Sequence, residues 1–247
     1  MPHSAPRPWR LVIPVKGGTG AKTRLRPPHG VSRAALAEAM ARDSAAAAAQ
    51  RMPSGLVFVV AGDARVAEWA AELGAVVVAD PGKGLNAAVA AGIARAARPT
   101  PGDLDSGDRD SHDLDAGDLD VGGSDVGGRD VGCAVPVAVL LGDVPALRPG
   151  DLAAGLGAAA AYDLAFVPDA DGTGTVLLTA LDADRLRPRF GAGSARRHEE
   201  GGHRRLDLPL PRLRTDVDDA GSLARAAALG LGPRTAALLA GARRPTG

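Results

Sequence analysis

Three aspartates in this 247-residue sequence are framed for chemistry. Asp143 directly follows the apolar run VAVLLG and precedes Val144-Pro145, so its carboxylate is expected just past a strand end. In open α/β sheets, ligands lie outside the carboxyl ends of the strands. Asp216 and Asp218, in RTDVDDAG, are two residues apart. That spacing puts both on one side of an extended chain. Three carboxylates gathered without an imidazole or a thiolate suit a hard cation such as Mg²⁺, which takes oxygen ligands and leaves room for substrate phosphates. Plainer readings stay open: Asp143 as a turn former, and Asp218 or Asp219 as the cap of the helix that follows.

Positive charge is concentrated elsewhere, in VIPVKGGTGAKTRLRPPHG at residues 12–30. The stretch looks like a P-loop, but that motif needs a glycine directly before the lysine and another five residues earlier. Ala21 and Lys16 hold those places before Lys22. A P-loop also runs straight into a helix, which Pro27-Pro28 forbids. What remains is a strand ending in a loop that carries Lys16, Gly17, Lys22, Arg24 and Arg26. Glycine amides and side-chain cations together suit a polyanion. A solvated basic turn is the alternative.

Two further segments read as an anion site. DADGTGTVLL places small glycines and threonines where a strand begins, and RFGAGSARRH supplies a glycine-rich turn with Ser194 before a short helix. Backbone amides there, with the Thr175 and Ser194 hydroxyls, suit a second phosphate; a plain pair of turns is the competing reading.

These residues need a scaffold, and the apolar pattern supplies one. Leu11 to Val15 reads as a buried strand, and Ser32 as the cap of a helix with Leu36 and Met40 on one face, ending before Pro53. Strands follow at 55–61, 75–79, 135–141, 163–167 and 174–179, with a short one at Leu206 to Leu210. Helices fall at 64–73, 84–97, from Pro149 to about 161, from the Asp219 cap to Leu229, and at 235–241. Continuous apolar strands alternating with helices indicate a mostly parallel sheet covered on both faces. Residues 100–132, almost wholly Gly, Asp and Ser with a few Leu and Val, cannot bury enough surface to offset ordering. They read as a disordered insertion in a single Rossmann-like α/β domain rather than as a calcium repeat, because the nonapeptide period is absent.

Aromatics are 2% of the chain, so the core must be built from Val, Leu and Ala. Basic and acidic residues balance at 29 each, which argues against a nucleic-acid partner, whose binding would need a basic surface. The lone Cys133 excludes an internal disulfide and a cysteine-rich zinc site. The five histidines, His3, His29, His112, His198 and His203, never fall at a metal-binding helical spacing and read as surface or loop residues. The first residues carry no signal-like apolar region and no run is long enough to span a membrane, so a soluble, cytoplasmic protein without membrane partners is expected.

The segments PVKGGTGAKTRL, GLNAAV, LLGDVPAL, DGTGTVLL, RFGAGS and TDVDDAG, in this order, resemble the 2-phospho-L-lactate / phosphoenolpyruvate guanylyltransferase family of coenzyme F-420 biosynthesis. The resemblance covers nearly the whole chain outside the acidic insertion. It implies a GT-A-type nucleotidyltransferase fold that couples GTP to a phosphorylated three-carbon acid: phosphoenolpyruvate in many bacterial members, 2-phospho-L-lactate in archaeal ones. It also implies Mg²⁺ on Asp143, Asp216 and Asp218, and the acid on Thr175, Gly191 and Ser194. Lys16, Gly17, Lys22 and Arg24 would then hold the triphosphate, with Lys22, Arg24 and Asp143 serving catalysis and Asn86 touching base or sugar. The implied partners are these small molecules and the other enzymes of the pathway. Two rivals remain at this stage: a molybdopterin or sugar-phosphate nucleotidyltransferase on the same fold, and a catalytically silent nucleotide-binding module.

Overall fold

The computed structural model describes residues 8–16, 25–98 and 134–242. Gly17, Lys22 and Arg24, His3, His112 and Cys133, and the Asp/Gly-rich segment at 100–132 lie outside the described residues.

Among the described residues, seven strands form one sheet in the order β3-β2-β1-β4-β6-β5-β7. They are β1 (Arg10–Val15), β2 (Val57–Ala61), β3 (Val76–Ala79), β4 (Val137–Leu140), β5 (Leu164–Pro168), β6 (Thr175–Ala180) and β7 (Arg204–Arg205). All pairings are parallel except those of β6, which is antiparallel to β4 and β5. The short link from β5 explains the reversal, since a parallel return needs a long crossover. Asp169 shapes that link by accepting the N–H groups of Thr173 (2.9 Å) and Gly174 (2.7 Å).

The β1 strand is buried along its whole length between two partners, yet it contains Pro14. Its odd-numbered residues face β2, as Leu11 N–H does with Leu56 O, while Arg10 N–H bonds Pro136 O on the β4 side. Pro14 falls on the β4 side, where the pairing has already ended at Val12. The missing N–H therefore breaks no ladder bond.

Alternate strand residues enter two cores. Leu11, Ile13, Val57, Val59, Ala138 and Leu140 pack beneath α1 (Arg33–Arg51), α2 (Ala64–Glu72) and α4 (Pro149–Ala159). Val12, Phe58, Val60, Val137 and Val139 pack on the opposite face against α3 (Leu85–Ala96). A Cβ at Gly92 would collide with Val12 and Val60, so only glycine lets α3 lie this close. The outer face of α1, with Leu36 and Met40, meets α7 (Ala220–Leu229) and α8 (Pro233–Ala242) in a third cluster that also takes Leu25, Val31 and Val217. Between these, α5 is Ser194–Glu200 and α6 is Pro211–Arg214.

Two expectations need correction. Leu206 to Leu210 is not a strand: β7 ends at Arg205, and Leu206 N–H reaching Phe166 O is the last link to β5. Leu208 and Leu210 then donate to carbonyls two residues back, and Pro209 and Pro211 have no donors with which to extend a ladder. His198 and His203 are not surface residues either, being 0% and 4% exposed, because α5 packs its inner side against β5 and β7. Among the described residues, no helix is long and apolar enough to cross a membrane.

Candidate active site

Asp143 follows β4 by three residues, at the carboxyl edge of the sheet. The loop that carries it is tied from two sides. The Ser44 hydroxyl of α1, shared between Met40 O of its own helix (3.0 Å) and Gly142 O (3.3 Å), meets it on one side, and Val217 donates its N–H to Asp143 O (2.9 Å) on the other. Val217 itself is fully buried in the third cluster. It works as a plug: with its side chain fixed inward, Asp216 and Asp218 on either side of it turn to the opposite side, toward Asp143. One oxygen from each of Asp143, Asp216 and Asp218 lies within 4.8 Å of the others.

The helix-cap alternative is settled by Ser222. The Asp219 carboxylate accepts the N–H of Ser222 (2.8 Å) and caps α7, while Ser222 Oγ accepts the N–H groups of Asp218 and Asp219 (3.0 Å each). These bonds to Ser222 hold the Asp219 carboxyl below the usual carboxylate range. The cap is thus Asp219, and Asp218 belongs to the carboxylate trio. Three carboxylates with no nitrogen or sulfur donor among them make an oxygen-only set, which suits Mg²⁺.

Arg214, just before this motif, was not singled out in the sequence. Its guanidinium donates to Pro168 O (3.2 Å), Asp169 O (3.0 Å) and Leu208 O (3.3 Å), fastening the aspartate segment to the end of β5. The signal for it was only an arginine abutting TDVDD.

The second half of the site is the RFGAGS turn. Because β6 is antiparallel to β4, its first residues lie beside the last residues of β4, and Leu141 N–H bonds Val176 O (3.1 Å). Thr175 therefore starts β6 at the same sheet edge as Asp143. Its hydroxyl, however, is buried and meets His198 Nδ1 at 2.9 Å. Ser194, at the start of the seven-residue α5, is also buried. What the turn presents outward is Gly191, Ala192 and Gly193, all exposed, and Gly191 (φ 118°) and Gly193 (φ 71°) adopt conformations that side-chain-bearing residues rarely tolerate.

Asn86, expected at the base or sugar, meets the protein's own main chain. Its Oδ1 accepts the N–H of Phe190 (2.8 Å) and its Nδ2 donates to Phe190 O (3.2 Å), so both ends of the carboxamide are engaged by the turn rather than held out to a base or sugar. Lys16 is exposed at the end of β1, on the same carboxyl edge.

Comparison with known proteins identifies the family. Residues 9–98 match the family model described as guanylyl transferase CofC like. A protein of Geodermatophilus obscurus named phosphoenolpyruvate guanylyltransferase is 44% identical, over 98% of this chain and 99% of that protein. The chain belongs to the CofC-like guanylyl transferase family. A phosphoenolpyruvate guanylyltransferase of Streptomyces coelicolor, 43% identical over 94% of this chain and 96% of its own, is a further relative. Membership of the CofC-like family makes the chain a nucleotidyltransferase and sets aside the molybdopterin and sugar-phosphate rivals. The fold agrees: a crystal structure from Desulfovibrio desulfuricans G20, described as a nucleotide-diphospho-sugar transferase, superposes with a TM-score of 0.53 at 18% identity, covering 94% of this chain and 96% of that one.

Proposed function

We propose that this protein joins GTP to phosphoenolpyruvate, giving enolpyruvyl-diphospho-guanosine and pyrophosphate, as a step toward coenzyme F-420. The carrying observation is the gathering of Asp143, Asp216 and Asp218 within 4.8 Å at the carboxyl edge of the sheet. The choice of acid follows the names of the relatives at 44% and 43% identity.

A phosphate oxygen of the acid attacks the α-phosphorus of GTP in line. A P–O bond forms there as the bond to the bridging oxygen of the β-phosphate breaks, and pyrophosphate carries away the electron pair. The attacking phosphate, with a second pKa of about 6, is already largely ionised at neutral pH. No general base is needed, and catalysis reduces to positioning and charge neutralisation.

The chain's own groups divide this work. Lys16, with Gly17, Lys22 and Arg24, takes the triphosphate and steadies the departing pyrophosphate. The Gly191–Ser194 turn, with Thr175 linked to it through His198, holds the acid. Asp143, Asp216 and Asp218 would hold Mg²⁺, which when bound offsets the repulsion between the two anionic reactants.

The test is to incubate the protein with Mg²⁺ and GTP, adding phosphoenolpyruvate, 2-phospho-L-lactate or 3-phosphoglycerate separately, and to measure pyrophosphate and product mass. Release with phosphoenolpyruvate, lost in Asp143→Ala, supports the proposal. Nucleotide binding without release for any acid would overturn it in favour of a silent module.

A further inference from the structure

The RFGAGS turn is held by side chains that bond only its backbone. From the α3 side, Asn86 takes both the N–H and the carbonyl of Phe190. The Phe190 ring is buried in the same cluster as Ala88 and Val89 of α3. From the α5 side, His198 Nε2 accepts the N–H of Arg189 at 3.0 Å, and Arg197 donates to Arg189 O (3.1 Å) and Ala192 O (2.6 Å). Every one of these contacts uses a polar side chain to fix main chain, and Arg189 and Gly191 to Gly193 are left exposed.

His198 is built for the task. Fully buried, it stands edge-on to Phe190 at 5.2 Å and is flanked by Phe166 and His203. Because Nε2 receives an amide hydrogen, the neutral ring must carry its own proton on Nδ1 and donate it to Thr175 Oγ1, 2.9 Å away. One imidazole thus joins α5, the start of β6 and the turn. Burial, then His203, Arg197 and Arg189 nearby, lowers its pKa from 6.5 to about 4, so the ring stays neutral and Nε2 stays an acceptor.

We infer that Asn86 and His198 are positioning residues for the acid substrate, holding the Arg189–Ser194 turn in its receiving shape before the acid arrives. The inference rests on the proposed guanylyl transfer and adds to it which half of the site these two residues serve. A turn already fixed spends none of the acid's binding free energy on ordering. A loosened turn weakens capture of the acid while the nucleotide side is left as it was.

The experiment is steady-state kinetics of pyrophosphate release in which each substrate is varied separately, for wild type, Asn86→Ala, Asn86→Asp, His198→Ala and His198→Gln. Asn86→Asp keeps the acceptor for Phe190 N–H but sets a charged oxygen against Phe190 O in place of the donor, at unchanged side-chain size, so it guards against an Asn86→Ala variant that fails to fold. Gln places a side-chain oxygen near Nε2 and restores an acceptor for Arg189 N–H. The expected result is a KM for phosphoenolpyruvate raised about ten- to a hundredfold in Asn86→Ala and His198→Ala, with the KM for GTP unchanged. Asn86→Asp is expected to raise the KM for phosphoenolpyruvate as well, and His198→Gln to recover part of the loss. A rise in the KM for GTP in either Asn86 variant would overturn the inference by marking a nucleotide contact. Lower melting temperatures with both KM values unchanged would overturn it by marking a purely structural role. Wild type that releases no pyrophosphate would overturn the proposed reaction itself, and is told apart by failing before any variant is compared.

Discussion

His198 makes the stability of this protein depend on pH with a definite sign. In the folded chain its pKa is lowered from 6.5 to about 4, first by burial and then by His203, Arg197 and Arg189. In the unfolded chain it titrates near 6.5. Between these two values the unfolded chain binds a proton that the folded ring refuses, so stability falls as pH drops through that window; above it both forms are neutral and the penalty is absent. Taking the protein from about pH 7.5 to about pH 5 should cost about 2 kcal/mol through this ring alone. For a chain of this size that is roughly 4–8 °C in melting midpoint. His203, whose pKa burial also lowers, adds in the same direction. The perturbation that isolates the ring is His198→Gln, which offers Arg189 an acceptor but cannot titrate. Urea titrations of both proteins at the two pH values should show wild type losing about 2 kcal/mol more than the variant. Parallel losses would refute the reasoning, since they would mean that the buried ring takes up its proton as readily as it does in the unfolded chain.

Three further outcomes are expected. Removing divalent cations with EDTA should stop pyrophosphate release and Mg²⁺ should restore it, while Asp216→Ala should need much more Mg²⁺ to reach half its own maximum; a metal titration of activity checks both. Gly191→Ala forces a side chain into φ 118° at the exposed turn; at a strain cost of about 1–3 kcal/mol it should raise the KM for the acid more than that for GTP. Asp43 of α1 is buried and accepts the N–H groups of Arg234 (3.1 Å) and Thr235 (2.8 Å) at the start of α8. Asp43→Ala leaves both donors without this acceptor and should lower stability by about 1–3 kcal/mol in urea titration.

The sequence by itself determined the layout. Short continuous apolar runs bounded by turn residues fit buried strands, although the edge strand β3 leaves Val77 39% exposed, and Ser32, Asp219 and Pro149 marked helix starts because their chemistry suits those positions and few others. The pairing of Asp216 with Asp218 was also legible, because a two-residue spacing has one meaning in an extended chain. The tertiary structure decided what depends on partners remote in sequence. The sequence did not show that Val217 is the buried plug, or that its amide reaches Asp143 some seventy residues earlier and so draws the three carboxylates together. Nor did it show how the Asp219 cap is held, which falls to the Ser222 amide and hydroxyl that bond its carboxylate. Asn86 is the plainest case. A carboxamide at a helix start matches a ligand and a neighbouring backbone equally well, and only the approach of Phe190, 104 residues away, gives both its ends a partner. His198 escapes the sequence for the same reason: its spacing fits no metal site, but burial against β5, β7 and the turn is a property of the packed fold, not of spacing.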